Sequence, residues 1–117
     1  MALIVHDVAL DMIRLIKPLI DRTAHFDSSL AKQLKRSASS VVLNISEGSR
    51  SRGGNESARF QDAAGSASET RSALEVAEAW GYIRDGERIP VDARLDRVCA
   101  MLWGLTHRRR KQRRAVS

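Results

Sequence analysis

Residues able to do chemistry are sparse in this sequence, and their spacing excludes most reactions. His6, His25 and His107 fall in three different segments, and none stands near another histidine or a carboxylate at the spacing of a metal-binding helix. The Glu-x-x-His pairs that hold di-iron centres in helix bundles are missing. Gly53-Gly54 lacks the Gly-Lys-Ser/Thr ending that would bring a lysine onto a phosphate, and the serines have no partnered base to activate one as a nucleophile. The expectation is a non-enzyme with no metal and no cofactor. Cys99 is the only cysteine, which excludes an intrachain disulfide and suits a reducing compartment.

What remains is charge. The 117 residues carry 20 Lys and Arg against 14 Asp and Glu, a formal charge of +6, and the position of that excess says more than its sum. Residues 1–27 hold three basic and four acidic side chains, 53–82 two and five, 83–104 four and four. The excess lies in 28–52, with five basic and one acidic, and in 105–117, with six and none. Candidate phosphate contacts are therefore Lys32, Lys35, Arg36, Arg50 and Arg52, together with Arg108, Arg109, Arg110, Lys111, Arg113 and Arg114. Phosphates need only positive charge within reach, whereas the few aromatic residues argue against recognition of single strands by base stacking.

Two polar stripes form a second constellation. Arg36, Ser40, Asn44 and Glu47 fall within roughly 80° on a helical wheel, away from the Leu34, Val41 and Ile45 line. Asp62, Ser66 and Glu69 repeat the pattern beside a line of Phe60, Ala64, Ala67, Arg71 and Leu74. Solvated faces are the plain reading; the sharper one pairs Arg36 with Glu69, across the helix pair or across subunits. Ala73, Val76 and Trp80 extend the second face as an apolar patch outside the core, which marks a subunit interface.

The elements that must position these residues are helices. Apolar residues recur at three and four over 5–23, from Val5 and Val8 to Leu19 and Ile20, with Pro18 expected to kink the helix. Asp27 or Ser28 can cap a second helix over 28–49, which Gly48 and the Ser49–Gly54 stretch would end. Asn55 and Glu56 give a start for a third over 55–80, rich in Ala, Ser and Gly and closed by Gly81. Pro90 suits the first turn of a fourth over 90–110, with Val91, Leu95, Val98, Leu102 and Leu105 on one stripe. With no alternating strand pattern, this predicts an all-α, antiparallel up-down-up-down four-helix bundle at 1–107, followed by a basic C-terminal tail at 108–117. The predicted core is Leu34, Val41, Ile45, Phe60, Ala67, Leu74, Leu95, Val98 and Leu102. No apolar run approaches the roughly 18 residues of a membrane span, and no charged-then-apolar leader precedes Val5, so a cytoplasmic location is expected.

From about residue 30 to 83 the sequence resembles a bacterial four-helix bundle family. That family includes proteins encoded in 23S ribosomal RNA intervening sequences and the accessory variability determinants of diversity-generating retroelements. The likeness is carried by Gln33, Arg36-Ser37-Ala38, Ser40, Asn44-Ile45-Ser46-Glu47-Gly48, Arg50 and Arg52, then Phe60, Ala64-Gly65-Ser66, Glu69 and Trp80-Gly81-Tyr82-Ile83. Ser37 and Ser46 stand where the family more often has alanine, and the arginine tail lies outside the pattern. The resemblance implies a ring-like homopentamer with a basic surface and no enzymatic activity; for the retroelement members it also implies nucleic acid and a reverse transcriptase as partners. Together these readings favour an oligomeric accessory protein that binds nucleic acid through basic surfaces. The alternative is a homo-oligomeric scaffold that binds a protein partner, its basic tail a disordered solubilising end.

Overall fold

Helix α1 runs Ala2–Phe26, α2 Ser28–Ser49, α3 Gly54–Ala79 and α4 Ile89–Val116. This computed structural model describes the backbone of residues 2–116 and the side chains of residues 4–107. Each helix packs on the two beside it, α1 on α2 and α4, α3 on α2 and α4, as an up-down-up-down bundle requires. The molecule measures 54 × 21 × 20 Å, so its two ends are well separated.

Local chemistry sets the turns. Only Asp27 separates α1 from α2; its carboxylate accepts from the Leu30 N–H at 2.9 Å, capping an otherwise orphaned donor. α1 passes through Pro18 as one helix. α3 ends in a Schellman motif: Gly81 sits at φ 79°, its N–H bonds Glu78 O at 3.0 Å, and the Tyr82 N–H bonds Ala77 O at 2.9 Å. The start of α3 differs from expectation. Its N-cap is Gly53 at φ 61°, without a side-chain cap, and Asn55 and Glu56 fall inside the first turn.

All nine predicted core residues are buried, together with Val5, Ala9, Met12, Ile16 and Leu19 of α1. On α3 the buried line is Phe60, Ala63, Ala67, Thr70, Leu74 and Ala77; Ala64 and Arg71 stand to one side of it, half-buried. Ala73 is buried as well, so it belongs to the core and cannot serve the outward apolar patch in which the sequence placed it. Gly48 stands one residue before the end of α2 at Ser49, where the helix was expected to stop. It lies buried within that helix, where an added Cβ would come within 2.6 Å of the Phe60 ring, so its missing side chain lets α2 and α3 approach.

Candidate nucleic-acid interface

α2 presents its basic residues outward because its apolar arc is spent on the core. Lys32, Lys35 and Arg36 are exposed and make no ion pair among the described residues. Arg50 and Arg52 lie past the end of α2, about 20 Å along the helix from Arg36 at 1.5 Å per residue. The five cations thus form two groups, not one patch. Arg50 is partly engaged, 3.6 Å from the Glu47 carboxylate, while Arg52 is exposed. The topology brings the α2–α3 loop to the end of the bundle where α4 finishes. α4 continues as helix to Val116, through the span expected to be a separate tail. The side chains of Arg108, Arg109, Arg110, Lys111, Arg113 and Arg114 lie outside the described residues.

The two polar stripes divide. Ser40, Asn44 and Ser66 turn toward one another and form the α2–α3 seam: Ser66 donates to Ser40 Oγ at 2.8 Å, and Asn44 donates to Ser40 Oγ and to the Ser40 carbonyl at 3.0 Å each. Beneath them the buried Thr70 hydroxyl lies 2.9 Å from that of Ser37, which itself donates to Leu34 O. These residues satisfy one another between helices, so they are not a solvated face. Arg36, Glu47, Asp62 and Glu69 stay exposed outside the seam. Arg36 and Glu69 do not pair within the subunit, contrary to the intrachain form of that expectation.

Among the other described cations Arg14, Lys17, Arg22, Arg71 and Arg88 are engaged in ion pairs, while Arg59, Arg84, Arg94 and Arg97 are not. Arg14 pairs with Asp11 and Lys17 with Asp21 along α1. Arg22 grips both oxygens of Glu87, one at 2.6 Å, tying the end of α1 to the α3–α4 loop. That hydrogen bond, with a second from the Arg84 backbone N–H, holds the Glu87 carboxyl down at about 2. Arg71 donates to the Asp96 carboxylate and to the Asp92 carbonyl. Arg88 lies 3.4 Å from Glu78, 3.4 Å from Asp92 and 3.8 Å from Glu75. Burial raises the Asp92 carboxyl despite these two arginines. The network clamps α4 to α3 and absorbs charge that a phosphate would otherwise meet.

Two aromatic groups were not anticipated as groups. Tyr82 stacks on Phe26, with centroids 5.3 Å apart, and on Trp80 at 6.4 Å, at the end of the bundle that holds the α1–α2 turn. Trp80 is 70% exposed and Val76, one turn earlier, 43%. On α4, Trp103 and His107 stack. Their i, i+4 spacing was the available signal. Among the described residues no helix is long and apolar enough to cross a membrane.

The model of the 23S rRNA-intervening sequence protein family matches residues 2–104. The fold is similar to the crystal structure of a protein of unknown function from the S23 ribosomal protein family of Bacteroides thetaiotaomicron. That likeness has a TM-score of 0.78 and 21% identity, covering 87% of this chain and 97% of the other. No curated protein matches the chain.

Proposed function

Since the chain belongs to the 23S rRNA-intervening sequence protein family, we propose that it is a non-enzymatic, cytoplasmic, homo-oligomeric accessory protein that binds nucleic acid through basic surfaces. The observation that carries this reading is the unequal use of its cations. Arg22, Arg71 and Arg88 are consumed in ion pairs that hold the fold together, whereas Lys32, Lys35, Arg36 and Arg52, like Arg59, Arg84 and Arg97, are exposed and make no ion pair among the described residues. Unpaired surface cations displace the counterions condensed on a phosphate backbone, and the entropy of that release drives association without base recognition.

Oligomerisation strengthens the argument. Val76 and Trp80, with the exposed aromatic stack beside them, form an apolar surface that a second copy would cover. Five subunits, the number that the resemblance implies, would repeat the α2 strip around a closed ring, and contacts weak singly would act together. A reverse transcriptase as partner enters through resemblance to the retroelement accessory determinants, and no residue of this chain is assigned to it. The Phe26, Tyr82 and Trp80 stack also favours a second reading, a scaffold whose partner is a protein, because aromatic clusters are typical anchors of protein interfaces.

Two variants test the basic surface. Arg50→Glu with Arg52→Glu reverses charge on the α2–α3 loop, and deletion of residues 108–117 removes six cations. Each should weaken binding to duplex DNA and flatten its salt dependence. If both bind as the wild type does, the assigned surface is wrong.

A further inference from the structure

A groove runs between α3 and α4. It encloses about 350 Å³, with Phe60, Ala64 and Ser68 of α3 on one wall and Cys99, Trp103 and His107 of α4 on the other. Short side chains at Ala64 and Ser68 keep it open. Trp103 is 63% exposed, yet its ring is not loose. The His107 imidazole lies parallel on it, with centroids 3.8 Å apart and planes 17° from each other. His107 Nδ1 is 2.9 Å from the Trp103 carbonyl; a carbonyl only accepts, so this nitrogen carries the hydrogen and the bond fixes the ring. The indole is therefore held in place from one side and left uncovered over most of its surface.

A flat aromatic surface, fixed and exposed, suits a flat aromatic ligand. The sequence says what else that ligand carries. Immediately after His107 come six cations in seven residues with no acidic side chain among them, on a helix that continues unbroken to Val116. Flat rings strung along an anionic chain are what an unpaired nucleic acid strand offers; in a duplex the base faces are buried against each other. We propose that the α3–α4 groove receives a nucleobase of a single-stranded nucleic acid, stacked on Trp103, the basic run that follows His107 in the sequence supplying charge for an anionic strand. The inference rests on the nucleic-acid reading above and deepens it. Gln61 and Ser68 at the groove supply donors and acceptors for the base edge. The small number of aromatics had argued against stacking, but one indole per subunit suffices where a ring of subunits repeats it.

The test uses the full-length protein with an oligouridine of about 15 nucleotides and an RNA duplex of about 15 base pairs, reading tryptophan emission and affinity. The wild type should show quenched emission with oligouridine. Trp103→Ala should abolish that quench and weaken oligouridine binding by about five- to a hundred-fold, as expected for losing one stacked base. Trp103→Phe should keep most of the affinity, and duplex binding should be unchanged in both. If Trp103→Ala binds oligouridine as tightly as the wild type, the groove is not the site, while retained duplex binding would leave the charge-driven reading standing. If the wild type binds neither probe, that reading fails and takes this inference with it. If Trp103→Ala lowers the assembly mass in light scattering, the groove is a contact between copies and the inference is overturned.

Discussion

At the scale of single residues, Gly48 and Glu87 show how local contacts set measurable quantities. Gly48→Ala places a Cβ 2.6 Å from a Phe60 ring atom, and Phe60 is itself packed in the core. Overpacking of this kind costs about 1–3 kcal/mol, offset by up to about 1 kcal/mol of better helix propensity. Urea unfolding should show a net loss of about 1–2 kcal/mol, part of it recovered by Phe60→Leu; an unchanged or raised stability would contradict the contact. Glu87, held at about 2 against an ordinary 4.5, ionises more readily folded than unfolded. Its stabilising effect is thus complete above about pH 4.5 and fades as pH falls toward 2. A carboxyl titration followed by NMR should give that low midpoint, and Arg22→Gln should return it toward the ordinary carboxylate range. The exposure of Lys32, Lys35 and Arg36 was legible in the sequence because it follows from lying opposite the apolar arc of α2. The ion pairs were not, since Arg22 and Glu87 are 65 residues apart and only the fold brings them together.

At the scale of helices, legibility followed contrast between faces. α2 alternates strong aliphatics with charge, and its predicted span of 28–49 coincides with the observed helix. α3 places alanine, serine and glycine on every side, so its wheel carries little contrast and the predicted core line was rotated toward Ala64 and Arg71. The same weak contrast put Ala73 on the outside. Phe60, Ala67 and Leu74 lie on the true line, which Ala63, Thr70 and Ala77 complete at helical spacing. Leu74 is fully buried, and Leu74→Ala should cost about 2–5 kcal/mol in chemical denaturation. A loss below about half a kcal/mol would mean the site collapses without a cavity, against the packing described. α4 was read as ending near 110 because apolar periodicity stops there, yet a run of arginine and lysine has good helix propensity and the helix continues.

At the scale of the whole molecule, the proposed function joins an oligomer to a polyanion. Val76→Asp puts charge into the proposed subunit contact without touching the core, so light scattering should show smaller species at unchanged helicity. A wild type that stays monomeric at concentrations where weak assemblies form would remove the ring from the account. The central claim, association driven by phosphate charge, is tested most directly by the salt dependence of wild-type binding to duplex DNA. Each phosphate neutralised releases condensed counterions, so log K should fall linearly with log salt, with a slope of about −0.9 per contact, and a multivalent assembly should give a slope of several such units. A slope near zero, or no binding even at low salt, would contradict the claim and leave the protein-binding scaffold in its place.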